Sequence, residues 1–205
     1  MDVAVIIVAA GKGARAGGSV PKQYAYISNQ RMLTITIRAI LKSLKIDGIT
    51  VVINSDDEEL YRNSVKDIDD PRLLHNCIGG LERSDSVQAG LTYLKTHRPK
   101  KVLIHDAARP FVSIKLIESV VNALNNNDAV LPIVQIFDSL WQKDFLKKEN
   151  NLISPGPNRN NLMCAQTPQG FAYLKICSAY AKVSEKKLDD IEVAYDFGIK
   201  IFTVN

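Results

Sequence analysis

The apolar run Val3–Val8, short and rich in β-branched side chains, predicts a strand buried on both faces. Arg31–Leu44 places apolar residues at Leu33, Ile35, Ile37, Ile40, Leu41 and Leu44, the spacing of a helix with a wide buried face. Gly48 separates it from a second buried strand, Ile49–Asn54. Asp56–Lys66 is a polar helix whose acidic opening suits the positive end of the helix dipole. A third apolar segment, Leu73–Ile78, ends at Gly79-Gly80. Ser84–Thr96 reads as helix and Lys101–His105 as strand. Ser113–Leu124 reads as a helix after a serine cap, and Ala129–Ile136 as strand again. A helix over Leu174–Ala181 and a short strand over Lys200–Val204 close the pattern. Strands alternating with helices imply a three-layer α/β domain, its parallel sheet covered on both faces and joined by right-handed crossovers. Such sheets bind ligands beyond the C-terminal ends of their strands. Phe137–Arg159 breaks the rhythm with short alternating runs, a charge cluster and two prolines flanking a glycine. A β-hairpin excursion or a surface loop would both read this way.

Composition narrows the class. At 205 residues, 46% apolar and 23% charged, the chain reads as one globular domain with a substantial core. No apolar run approaches a membrane span, and no basic segment precedes the first strand as it would in a signal peptide. Cys77, Cys164 and Cys177 are odd in number and widely spaced, which favours reduced packing thiols in the cytoplasm. A net charge of +4 suits anionic small substrates and is too weak to argue for nucleic acid.

Chemistry gathers first behind Val3–Val8. Ala9-Ala10-Gly11-Lys12-Gly13 is small enough for backbone N–H groups to turn inward as an anion-binding nest. Arg15 and Lys22 add two cations, so the segment suits a polyphosphate; a tight turn with solvated basic residues is the plainer alternative. A P-loop is not formed, because Gly13 follows Lys12 where a Ser or Thr is needed for magnesium. A dinucleotide fingerprint fits Gly11, Gly13 and Ala16, but the ribose-binding acid is missing and Pro21 interrupts the helix. A nicotinamide-linked dehydrogenase is disfavoured accordingly. At Gly79–Val87 a glycine pair again lets backbone approach a ligand, with a helix N-terminus beside it. Ser84 or Asp85 could equally serve as a simple cap. Asp106 follows strand KVLIH directly and points toward the crevice, as an acid able to assist magnesium or as an ion pair with Arg109 fixing the turn.

These segments resemble a known family. AAGKGARAGGSVPKQY is similar to the nucleotidyltransferase signature A-A-G-x-G-x-R-x(n)-P-K-Q, and specifically to the 2-C-methyl-D-erythritol 4-phosphate cytidylyltransferases. G-G-x-x-R-x-x-S-V over Gly79–Val87, H-D-A-A-R-P over His105–Pro110, and R-x-x-L-x-x-A-Q-T-P-Q-x-F from Arg159 to Phe171 follow in the family's order. The resemblance implies a Rossmann-like fold with a protruding β-arm around residues 137–159. It implies catalytic roles for Arg15 and Lys22, and CTP binding by Ala9, Ala10, Gly11, Lys12, Gly13, Gly80, Ser86 and Ala107. Asp106, Arg109, Ser139, Arg159 and Thr167 would bind a polyol phosphate acceptor, with Asp106 also assisting Mg2+. In the family the arm embraces a second subunit, so Ser139 and Arg159 would serve a neighbour's site in a homodimer. Neither nucleic acid nor membrane is an expected partner.

Three departures accompany the resemblance. Leu81 stands where many relatives have an acid, and Leu188 where an acceptor-binding threonine is usual. The chain stops at Asn205, ahead of the family's G-x-x-x-N-x-K-x-T segment, so the end of the family domain is expected to be missing, as in a piece of a fusion with a cyclodiphosphate synthase. The expected reaction is cytidylyl transfer from CTP to 2-C-methyl-D-erythritol 4-phosphate in non-mevalonate isoprenoid biosynthesis. A cytidylyltransferase for another polyol phosphate, such as ribitol 5-phosphate, and a CTP-binding module without catalysis are the alternatives.

Overall fold

The computed structural model describes residues 1–11, 20–143, 153–182, 187 and 189–205. In chain order they form β1 (Val3–Ala9), a two-strand turn of β2 (Tyr26–Ile27) and β3 (Gln30–Arg31), α1 (Met32–Leu41), β4 (Gly48–Ile53), α2 (Glu58–Val65), β5 (Cys77–Ile78) and α3 (Arg83–Leu94). Then come β6 (Lys101–Asp106), α4 (Ile114–Ala123), β7 (Ala129–Gln135), β8 (Trp141–Lys143), β9 (Ile153–Pro155), β10 (Met163–Ala165) and β11 (Gln169–Ala172). The chain ends with α5 (Tyr173–Lys182), α6 (Asp190–Asp196) and β12 (Ile201–Val204).

Side-chain parity in β1 explains the layers. Val3, Val5, Ile7 and Ala9 pack with Leu33 and Ile37 of α1 and Ile117 and Val120 of α4. Ala4 and Ile6 pack on the other face with Val87 and Leu91 of α3, Ile176 of α5 and Val193 of α6. Each face of the central strand therefore has its own core, as its unbroken apolar run requires. Gly90 lets α3 approach closely, since a Cβ there would lie 2.8 Å from Ile6 Cγ2.

β5, β4, β1 and β6 run parallel, with Val8 beside Val52 on one side and Asp106 on the other. The sheet is not parallel throughout. β11 enters antiparallel between β6 and β7, and β10 continues antiparallel along β7, while β12 joins β7 parallel. β11 is only four residues, QGFA, and its Gly170 would carry a Cβ 2.5 Å from Val120 Cγ1. So short a strand, buried by close helix packing rather than by apolar bulk, shows no run to read.

Other expectations shift at their edges. α1 stops at Leu41, and Leu44 is 91% exposed. The Leu73–Ile78 segment pairs as a strand only at Cys77–Ile78, with Leu73 making a lone bridge to Ile49. Ser113 caps α4 as expected, accepting from the Leu116 N–H at 3.1 Å. Within 137–159, β8 and β9 pair as an antiparallel hairpin carrying exposed Trp141 and Ile153. All three cysteines are free; Cys77 and Cys177 are half-buried, but Cys164 is exposed on β10 and packs in no core. Among the described residues no helix is long and apolar enough to cross a membrane.

Candidate active site

The C-terminal ends of β1 and β6 open into a cleft of about 500 Å³. β1 delivers Ala9, Ala10 and Gly11 to it, as its sequence predicts. Among the described residues nothing lies within 4 Å of where a Cβ on Gly11 would sit. Lys12, Gly13 and Arg15 lie outside the described residues. Lys22 lines the cleft, exposed and without an ion pair among the described residues. Gln23, its buried neighbour, donates from Nε2 to the carbonyls of Ala9 at 2.7 Å and Gly11 at 2.9 Å. That amide ties the Lys22 turn to the strand end, a role the sequence does not announce.

The second wall is the start of α3. Glu82 and Asp85 form a reciprocal capping box in which Glu82 is the N-cap and Asp85 the third helical residue, so the cap falls on neither Ser84 nor Asp85. Ser86 is buried and donates to the Glu82 carbonyl at 3.1 Å. The glycine pair is demanded by packing: a Cβ on Gly79 would lie 2.6 Å from Ser86 Oγ, and one on Gly80 2.3 Å from Asp85 Cβ. Leu81, at 99% exposure, reaches the cleft mouth.

The third wall follows β6. Asp106 meets Arg109 Nε at 3.0 Å through Oδ2 and Arg83 Nη2 at 3.5 Å through Oδ1. The ion pair that fixes the turn is therefore present, and the same carboxylate faces the cleft. Arg109 donates to Gln166 as well. His105 is wholly buried beneath this turn, its Nε2 3.0 Å from the Arg109 carbonyl and its Nδ1 2.9 Å from Thr167 Oγ1. Burial pushes its pKa down to about 4, so the ring is neutral. A carbonyl can only accept, so Nε2 carries the hydrogen and Nδ1 accepts from Thr167. Thr167 in turn accepts from the Asp106 N–H at 3.4 Å. Its hydroxyl proton is committed to His105, and donation to an acceptor would require that bond to be released. Ala107 lines the cleft with its N–H given to Val8 and its carbonyl accepting from Thr36 at 2.8 Å, so it shapes the wall with no free backbone polar group.

Sequence reasoning assigns no role to Arg83, Gln169, Asp189 or Asp190, yet all but Asp190 line the cleft. Arg83 lies within a quoted motif, and Asp189-Asp190 follow Leu188, which is outside the described residues. Gln169 is buried, accepts from the Ile191 N–H at 3.2 Å and faces Asp189 Oδ2 at 3.4 Å, joining β11 to α6. Ser139 and Arg159 are not among the residues lining this cleft. Both are exposed beside the hairpin, where Arg159 donates to the Phe137 carbonyl.

The residues present test the magnesium expectation. Both Asp106 oxygens already face guanidinium groups, and among the described residues no three His, Cys, Asp or Glu side chains are placed to hold an ion. Of the carboxylates lining the cleft, Glu82 and Asp189 cap α3 and α6, which leaves Asp106 to suit an ion held mainly by phosphate oxygens.

Residues 3–205 match the family described as IspD, 2-C-methyl-D-erythritol 4-phosphate cytidylyltransferase. The bifunctional enzyme IspD/IspF of Paramagnetospirillum magneticum is 38% identical over 202 residues, which cover 98% of this chain and 50% of that protein. The 2-C-methyl-D-erythritol 4-phosphate cytidylyltransferase of Roseobacter denitrificans is 37% identical over 206 residues, 100% of this chain and 87% of that one. A solved structure of 4-diphosphocytidyl-2C-methyl-D-erythritol synthase from Anaerococcus prevotii superposes with a TM-score of 0.81 at 28% identity, covering 99% and 86% of the two chains. The chain spans about half the length of the bifunctional relatives it matches.

Proposed function

We propose a function from a fixed starting point: this chain belongs to the 2-C-methyl-D-erythritol 4-phosphate cytidylyltransferase family. Residues 1–205 act as one nucleotidyltransferase domain that moves a cytidylyl group from CTP to 2-C-methyl-D-erythritol 4-phosphate and releases pyrophosphate. The observation that carries this reading is the cleft itself, where the glycine-bearing end of β1 and Lys22 face Asp106 and Arg109.

An oxygen of the acceptor's phosphate attacks the α-phosphorus of CTP. The bond from that phosphorus to the bridging oxygen breaks, and pyrophosphate departs with the electron pair. The nucleophile is already an anion near neutral pH, so no strong base is needed. The load on the protein is electrostatic, since charge develops on the α-phosphoryl oxygens and the leaving group. Lys22 and Arg15 carry that load, and Gly11 lets the nucleotide approach the backbone. Asp106 and Arg109 hold the acceptor, an arginine fork being suited to phosphate. Magnesium, when bound, would neutralise phosphate charge, and the Asp106 carboxylate in the cleft would help hold it.

The exposed hairpin with Trp141 and Ile153 supports a homodimer in which Ser139 and Arg159 reach a neighbour's acceptor site. Three free cysteines support a reducing, cytoplasmic setting. The deciding experiment measures magnesium-dependent pyrophosphate release from CTP, offering methylerythritol phosphate and ribitol phosphate separately. Release with the first alone is expected. Release with ribitol phosphate alone, or CTP binding with no release, overturns the reading.

A further inference from the structure

We propose that Asp190, acting through Arg83, is a positioning residue that fixes the Asp106 carboxylate in the cleft and thereby sets recognition of the polyol phosphate acceptor. The inference rests on the acceptor role given to Asp106 above. Asp190 opens α6 and its carboxylate has no exposed surface. A carboxylate so buried persists only when paired and hydrogen-bonded. Its Oδ2 accepts from Arg83 Nη2 at 2.7 Å and its Oδ1 from the Tyr180 hydroxyl at 2.5 Å. Burial and the Asp190 charge both push the Tyr180 phenol well above its ordinary pKa, so it remains a donor.

Arg83 is not consumed by this pairing. Its side chain is 30% exposed, and the nitrogen that binds Asp190 lies 3.5 Å from Asp106 Oδ1. Each Asp106 oxygen therefore faces its own guanidinium. Arg109 is steadied by Gln166, and Arg83 is steadied from behind by α6 and α5. Nη2 carries two hydrogens, and the guanidinium is rigid and planar, so holding Nη2 on Asp190 fixes what the same nitrogen presents to Asp106. With Asp190 neutral, Arg83 would be free to close on Asp106 or swing toward an incoming phosphate. A purely structural pair would need no such second contact in the cleft.

Asp190→Asn keeps the shape and removes the charge, while Tyr180→Phe removes only the hydroxyl that holds the second oxygen. In steady-state assays of folded protein, Asp190→Asn is expected to raise the acceptor KM about tenfold or more and to leave the CTP KM within about twofold. Tyr180→Phe should shift the acceptor KM the same way, by about threefold. Equal shifts in both KM values, or none, overturn the proposal. If Asp190→Asn does not fold, Tyr180→Phe alone decides by the same criterion. Silence of the wild type with methylerythritol phosphate would refute the assigned substrate instead. The relay is then judged by NMR of the Arg83 guanidinium, whose hindered rotation in wild type should be lost in Tyr180→Phe. Persistence of that hindrance overturns it.

Discussion

Gln23 and Ala9 are joined by a 2.7 Å hydrogen bond from the side-chain amide of one to the carbonyl of the other. The same amide holds the Gly11 carbonyl, so one side chain binds the Lys22 turn to the end of β1. Gln23→Leu leaves both carbonyls without this partner, which should cost about 1–3 kcal/mol of stability. Chemical denaturation measures that loss, and steady-state kinetics should show a raised KM for CTP.

Lys22 stands in the cleft without an ion pair among the described residues, so its charge is not spent on the fold. Lys22→Ala should reduce turnover by a hundredfold or more, roughly 3–4 kcal/mol of transition-state stabilisation. Its thermal midpoint should stay at the wild-type value. Wild-type-like pyrophosphate release in that variant would sink the assigned mechanism.

Tyr24 is fully buried, and its hydroxyl has no hydrogen-bond partner among the described residues. A buried, unpaired hydroxyl carries its desolvation cost uncompensated. Tyr24→Phe should therefore leave stability unchanged or raise it by about 1–2 kcal/mol. Denaturant midpoints of the two proteins decide it; a marked loss would reveal a hidden partner.

His105 titrates near 4 when folded, mainly through burial, against about 6.5 in an unfolded chain. Between those values the unfolded state binds the proton and the folded state does not. Stability is thus complete above about pH 6.5 and falls as pH drops toward 4, by roughly 3 kcal/mol at most. Denaturation of chelator-treated, substrate-free protein across that window should show this slope, and His105→Gln should flatten it.

What the sequence discloses follows from how each element is stabilised. β1, β4 and β6 are legible because burial on both faces leaves unbroken apolar runs, and α4 because Ser113 marks its start. β11 is hidden because Gly170 serves helix packing and Gln169 binds α6, neither a hydrophobic signal. The cleft motifs at Gly79–Val87 and His105–Pro110 are contiguous and readable as loops. The Arg83–Asp190 pair spans 107 positions, and nothing local in either segment reveals the other. Likewise His105 reads as the end of an apolar strand; only the fold shows it clamped between Arg109 and Thr167.

The reversed strand β11 has one further consequence. Ala9, Asp106 and the Thr167–Gln169 approach to β11 sit at one end of three successive strands, β1, β6 and β11. Neighbouring strands lie about 4.8 Å apart, so the cleft floor is ruled in steps of that width. On the proposed function, the span between nucleotide and acceptor is a backbone dimension, set by the ladder. Substituting the cleft can make an acceptor stick better or worse, but it cannot lengthen the gauge. An acceptor with a longer reach must fold to fit it.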